Sequence, residues 1–445
     1  MPEPNTRFEY IAGLWQSVTD RGRALVGIKR APPLGVDALI DLAGKLLSGR
    51  GEASGAATAA AMLAGFSALS EAEQRLFLER ADAVYGPDLA ALEQAAREFL
   101  DAPDAARAAD LFARAEPLRQ ELIRRLNHAP GGTFALVKMR ETLLAAMKDG
   151  AALEAFDRDF RHLFASWFNR GFLVLRRIEW TTPANILEKI IRYEAVHEIS
   201  NWDELRRRLD PPDRRLYAFF HPALADEPLI FVEVALTSAI PDAIQPLLTS
   251  DRAALAPQNA TTAVFYSISN AQAGLAGVSF GNFLIKQVVE DLRRELPRLQ
   301  TFVTLSPVPG LARWLAQERA DEASRFLGAE PRRLLAAIEA GETPEGGERA
   351  LASLAAAYFL QARTPSGRVI DPVARFHLGN GARLERINPR GDLSPAGLRQ
   401  SLGVMVNYRY DLDEIEANHE AFANRGTVAA SSAVRKLAAG SGGKG

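Results

Sequence analysis

The 445-residue sequence predicts an α+β, multidomain protein: a helical N-terminal bundle followed by a mixed-sheet domain. Three observations predict it. Through about residue 165, apolar residues recur every three or four positions and strand-like alternation is absent. From about residue 170, β-branched and aromatic runs of strand length take over. Between two of those runs a glycine-rich loop opens a strongly periodic helix, the order of a strand–helix–strand crossover.

In DAARAADLFARAEPLRQELIRRLN, the residues Leu111, Ala115, Leu118, Leu122 and Leu126 lie on one face of a helix or helix pair. Pro117 opens the second of these, where a missing N–H costs nothing. FALVKMRETLLAAMKDG repeats the pattern through Leu136, Met139, Leu143 and Met147, and Gly150 offers a left-handed stop. The small-residue stretch Gly49–Ala61 reads as a loop or a helix start. Strand candidates follow at Gly171–Trp180, Arg215–Pro222, Pro228–Thr237, Thr262–Ser269, Thr301–Pro307 and Met405–Leu412. The expected organisation is a helical domain over 1–165 for packing and oligomerisation, a mixed-sheet domain over 166–430 and a flexible tail over 431–445.

Composition narrows the function. A net charge of -2 gives no field to gather nucleic acid or an anionic membrane. The absence of cysteine excludes disulfides, thiolate metal sites and cysteine nucleophiles. The six histidines show neither HxH nor HExxH spacing, so no metal site is expected. MPEPNTRFEYIAG lacks the apolar core of a signal peptide and no window is long enough to span a bilayer, so a cytoplasmic protein is expected.

The loop SNAQAGLAGVSFGNF carries Gly274, Gly277 and Gly281 in front of a helix. Main-chain N–H groups and a helix N-terminus suit a diphosphate, although glycines at such turns also serve steric needs alone. No Gly-Lys-Ser/Thr follows, and the glycine spacing is not that of a dinucleotide fingerprint. A phosphate-bearing ligand that is held and not cleaved fits, and coenzyme A is such a ligand.

The blocks HPALADEPLIFVEVALT, FYSISNAQAGLAGVSFGNFLIKQVVEDLRRELP, TLSPVPGLARWL, RFHLGNGARLERIN and SLGVMVNYRYDL together resemble the malonyl-CoA decarboxylase family over about residues 170–415. The resemblance implies a catalytic domain of the acyl-CoA N-acetyltransferase (GNAT-like) fold. It also implies conversion of malonyl-CoA to acetyl-CoA and carbon dioxide, a homotetramer, and no metal or organic cofactor. The family's catalytic serine and histidine map to Ser306 and His377, and further active-site members to Ser267 and Tyr410. Its CoA-binding loop maps to Ala276, Gly277, Val278, Ser279, Phe280, Gly281 and Asn282. Ser279 stands where family members can carry glutamate, which puts any mechanism needing a carboxylate there in doubt.

Loss of carbon dioxide from a malonyl thioester leaves an enolate that needs donors at its oxygen and a proton at its carbon. His377 is the expected acid, hydrogen-bonded by Ser306. Neutral donors among Ser267, Ser306 and Asn270 would orient the substrate carboxylate without the ground-state stabilisation an arginine brings. Read without the resemblance, His377 could be structural, Ser306 a turn cap and Tyr410 a packing residue. His221 reads as a cap, Asn380 as a turn residue with positive φ, and Lys286 and Arg293–Arg294 as solvated helix charges, with contact to a CoA 3′-phosphate as the alternative. Two other functions use the same features: an acyltransferase drawing on acetyl-CoA, and a non-catalytic CoA-binding scaffold.

Overall fold

The computed structural model describes residues 34–49, 51–250, 252–278 and 284–439. They form two compact units. The first runs through Leu173 and takes in His221–Ala225 and the described part of the 272–280 segment. The second holds the remainder.

The first unit is helical, as the 3.6-residue periodicity requires. Its helices are Val36–Ser48, Glu52–Ala68, Glu71–Val84, Leu89–Asp101, Ala105–Ala115, Leu118–Asn127, Gly132–Lys148 and Glu154–Trp167. The Gly49–Ala61 stretch is therefore mostly helix, its alanines supplying the propensity. Starts are chemically marked: Ser70 and Glu73 form a reciprocal capping box, and Asp88 and Asp104 accept the first free N–H groups of their helices. Gly150 takes φ +91° and ends its helix as expected. Leu39, Leu78, Leu136, Val137, Leu143, Phe160 and Phe164 are fully buried. Inside this core the Arg119 guanidinium lies 2.8 Å from both Asp82 and Asp159, so its charge is compensated.

The glycine loop shows here why Gly274 is glycine. A Cβ on it would stand 1.9 Å from the carbonyl oxygen of Val137, in the Gly132–Lys148 helix. Arg140, paired with Asp157, donates from Nη1 to the Gly274 carbonyl at 2.6 Å. Gly274 thus has a steric duty, and Gly277 turns the chain at φ +72°.

The second unit is built on an eight-stranded mixed sheet. Its strands are β1 (Val174–Ile178), β2 (Arg214–Phe220), β3 (Pro228–Thr237), β4 (Thr262–Asn270), β5 (Thr301–Thr304), β6 (Ser306–Pro307), β7 (Arg383–Asn388) and β8 (Met405–Arg409). The order is β1-β2-β3-β4-β5-β8-β6, with β7 also on β8. β4 and β5 pair in parallel and the other pairs are antiparallel. The parallel pair is the expected crossover, with the helix Leu284–Glu295 between its strands.

One face of the sheet packs Leu216, Ala218, Phe220 and Phe231 against Ile186, Leu187, Ile190 and Leu205 of the helices Ala184–Tyr193 and Trp202–Leu209. Val264, Tyr266, Val303 and Leu305 form a second apolar cluster, with Ala235 and Met405. The pairing of β3 and β4 slips where Glu233 faces Ser267 and Val234 faces Phe265, leaving Tyr266 as the extra residue of a bulge. After that bulge Tyr266 and Ser267 both turn to this face.

β7 was not expected. RLERIN alternates charge with apolar residues, but Arg383 pairs with Glu385 and Glu414, and Arg386 donates to Asn407 Oδ1 and to the Ile240 and Pro241 carbonyls. The expected flexible tail also needs correction. Ser432–Ala439 is a helix with Val434 and Ala438 buried, and Gln361 Nε2 donates to the Ala438 carbonyl at 3.1 Å. Only 440–445 of that segment lie outside the described residues.

Candidate active site

The period of a strand places Thr304 and Ser306 on one face of the sheet. β5 parts from β4 just here: Leu305 N–H donates to the Phe265 carbonyl at 2.9 Å, and Ser306 then pairs with Val406 of β8. Between β5 and β6 the ladder to β8 is interrupted, and side chains complete it. Tyr408 N–H donates to Thr304 Oγ1 at 3.1 Å, and Asn407 Nδ2 donates to the Thr304 carbonyl at 2.8 Å. Among the described residues no strand pairs with the remainder of β4, Ser267–Asn270, on its β5 side.

The second part of the site comes from the helix Pro372–Gly379. Asp371 caps it by accepting Ala374 N–H at 2.8 Å, and Pro372 stands in the first turn, where no donor is needed. Asp371 is fully buried, and burial raises its carboxyl above the usual range. Tyr358 OH approaches it at 3.4 Å, and the lack of a side chain at Gly310 makes room for that hydroxyl. The chain leaves the helix through Asn380 at φ -90°, so the positive φ expected at Asn380 falls one residue later. Gly381 takes φ +81°, and a Cβ on it would lie 2.0 Å from the Ile415 carbonyl oxygen.

This helix delivers His377 to Ser306. His377 Nε2 stands 3.1 Å from Ser306 Oγ, the hydrogen bond expected from the sequence. Ser306 Oγ donates to Thr304 Oγ1 at 2.8 Å, and Tyr410 OH lies 2.8 Å from His377 Nδ1. The Tyr408 ring stacks on the imidazole at 4.6 Å and 24°. Ser306, His377 and Tyr410 are 6%, 3% and 1% exposed, so water competes little with these bonds. Burial lowers the His377 pKa from 6.5 to about 3 and pushes the Tyr410 phenol up. The imidazole is neutral at physiological pH.

Ser267 is not brought to this chain of contacts. Its hydroxyl donates to Glu194 at 2.8 Å and lies 3.3 Å from Ser269 Oγ, on the face covered by the Ala184–Tyr193 helix. Glu194 also accepts Val196 and His197 N–H groups, so the cluster shapes the turn after that helix. Beside it the buried Glu233 pairs with Arg208 at 2.8 Å, and its carboxyl is nevertheless raised to about 7 by desolvation.

Of the expected CoA loop, Ala276, Gly277 and Val278 form a turn, and Ser279, Phe280, Gly281 and Asn282 lie outside the described residues. Lys286 pairs with Glu416 at 2.9 Å, and Arg293 and Arg294 are exposed, as solvated charges. His221 Nδ1 accepts Ala223 N–H at 3.1 Å, the expected cap.

Three residues that support the His377–Ser306 pair were not read from the sequence. Thr304 and Tyr408 stand two residues before Ser306 and Tyr410, so period two in TFVTLSP and NYRY was the available signal. The Asp-Pro pair at 371–372 was the signal for the cap.

Comparison with known proteins gives the class. The family described as malonyl-CoA decarboxylase C-terminal domain matches residues 171–443, and that described as malonyl-CoA decarboxylase N-terminal domain matches residues 85–168. A mitochondrial malonyl-CoA decarboxylase of Anser anser anser is 37% identical over 348 residues, covering 72% of this chain and 69% of the relative. The crystal structure of malonyl-CoA decarboxylase from Rhodopseudomonas palustris aligns with TM-score 0.87 at 60% identity, covering 91% of this chain and 100% of that one. The one from Agrobacterium vitis aligns with TM-score 0.85 at 56% identity, covering 90% and 99%. By these matches the protein is an enzyme of the carboxy-lyase class. The chain belongs to the malonyl-CoA decarboxylase family.

Proposed function

We propose that the chain converts malonyl-CoA to acetyl-CoA and carbon dioxide through a thioester enolate that His377 protonates. The observation that carries the reading is the buried Tyr410–His377–Ser306–Thr304 chain at the point where β5 leaves β4. Beyond that point the edge of β4 offers main-chain groups along which an extended acyl-pantetheine arm can lie. The diphosphate is assigned to main-chain amides of Ala276–Asn282; support comes from the helix Leu284–Glu295 that follows, whose N-terminus favours negative charge.

The C–C bond to the carboxylate breaks, its electron pair moves into the thioester enolate, and neutral carbon dioxide leaves. Charge accumulates on the thioester oxygen, where one well-placed donor is worth about 3–4 kcal/mol. The proton on His377 Nε2 goes to the α-carbon, and solvent returns a proton to Nε2, while the Tyr410 hydroxyl stays bonded to Nδ1. Ser306 orients the ring and forms no acyl-enzyme, since no step requires one. A neutral imidazole suits this work. An imidazolium would pair with the substrate carboxylate and stabilise the state that must be left.

Incubation with malonyl-CoA alone tests the reading. Acetyl-CoA and carbon dioxide are expected in equal amounts, whereas dependence on an amine acceptor would indicate an acyltransferase. The pH profile follows from the lowered pKa. The active form is the neutral one, and protonation waits until about pH 3. Lowering pH from 8 through 6.5 should therefore leave kcat flat, and an acid limb with apparent pKa near 6.5 would contradict the assignment. A homotetramer working in the cytoplasm without added cofactor is part of the same proposal; light scattering on the purified protein checks the assembly.

A further inference from the structure

We propose that Thr304 is a positioning residue that holds the His377 imidazole in the tautomer carrying its proton on Nε2. The inference rests on the reading of His377 as proton donor and adds what keeps the transferable proton on the correct nitrogen.

Protons and lone pairs along the buried chain fix the tautomer. Thr304 is fully buried. Its Oγ1 accepts from Tyr408 N–H at 3.1 Å and from the Ser306 hydroxyl at 2.8 Å, which uses both its acceptor sites. Ser306 has one hydroxyl proton, and that proton points at Thr304. What Ser306 Oγ turns toward His377 Nε2, 3.1 Å away, is a lone pair. Two acceptors facing each other in a dry site would repel, so Nε2 must bear hydrogen. Nδ1 is then the acceptor and takes the Tyr410 hydroxyl at 2.8 Å, a phenol that burial keeps protonated. The polarity Tyr410 → His377 → Ser306 → Thr304 ends on the main-chain N–H of Tyr408, a group fixed by the sheet. The opposite polarity would have Ser306 donate to Nε2 and leave that nitrogen without a proton to give. Tyr408 also supplies the ring stacked on His377, so one strand residue fixes both the plane of the imidazole and the end of the chain.

The test is the Thr304→Val variant, close in shape but without the acceptor, studied in protein labelled with ¹⁵N in histidine. The His377 signals are assigned by difference from His377→Gln. The wild type is expected to show Nε2–H. In Thr304→Val the Ser306 proton is free to turn to Nε2, the ring is expected to shift to Nδ1–H, and kcat should fall roughly tenfold or more with KM within about twofold. Thr304→Ser should restore both tautomer and rate. A wild type with Nδ1–H, or a folded Thr304→Val with the wild-type tautomer, overturns the proposal. If Thr304→Val does not fold, Tyr410→Phe decides: Nε2–H retained supports Thr304 as the determinant, and Nδ1–H overturns it. Failure of the proton-donor reading is separately visible, because His377→Gln would then keep its turnover whatever the tautomer.

Discussion

Replacing His377 by glutamine is expected to lower malonyl-CoA turnover by roughly 10²–10⁴-fold, the range that a positioned general acid supplies. The effect should fall on kcat. Glutamine retains a polar side chain that can bond Ser306 Oγ, now 3.1 Å from Nε2, but its amide is no acid able to give a proton to the α-carbon. Binding of CoA should change little, because the expected diphosphate contacts lie on main-chain amides far along the sequence. Steady-state assays of acetyl-CoA formation with calorimetric CoA titration separate the two quantities. Turnover within about threefold of wild type would remove His377 from the chemistry.

The second large effect is on structure. Gly381→Ala places a methyl group 2.0 Å from the Ile415 carbonyl oxygen, at a residue with φ +81°. A left-handed alanine costs about 1–2 kcal/mol, and forcing a methyl into packed backbone about 1–3 kcal/mol more. A loss of roughly 3 kcal/mol is expected in denaturant unfolding of the sheet unit. Activity should fall with it, since Gly381 closes the turn after the helix that carries His377. Gly379→Ala is the control: nothing lies within 4 Å of its added Cβ, and stability should change little. Equal stability of the two variants would show that the Ile415 carbonyl moves aside freely.

Much of this architecture was legible in the sequence, for physical reasons. The helical half announces itself because one face of each helix must be apolar, and Pro228–Thr237 was read to the residue because a buried central strand is apolar on both faces. β7 escaped because RLERIN is rich in charge, and two partners that make room for it, Glu414 for Arg383 and Asn407 for Arg386, lie far along the sequence. Ser306, His377 and Tyr410 were each named beforehand, and the 71-residue separation of the first two shows why spacing alone could not join them. Ser267 illustrates the opposite limit. The bulge at Tyr266 turns it to the far face, where Glu194 takes its hydroxyl, and a bulge leaves no local signature in FYSIS. The glycine loop read as a steric feature or a ligand site, and at Gly274 a helix carbonyl supplies the steric reason.

The central claim is spatial: the acyl α-carbon meets the proton on His377 Nε2. A crystal structure with a non-decarboxylating malonyl-CoA analogue measures it directly. The account predicts that carbon within about 4 Å of Nε2, near the reacting distance of a productive complex. An acyl group seated instead among Ser267, Ser269 and Glu194, with the imidazole out of reach behind the sheet, would contradict it.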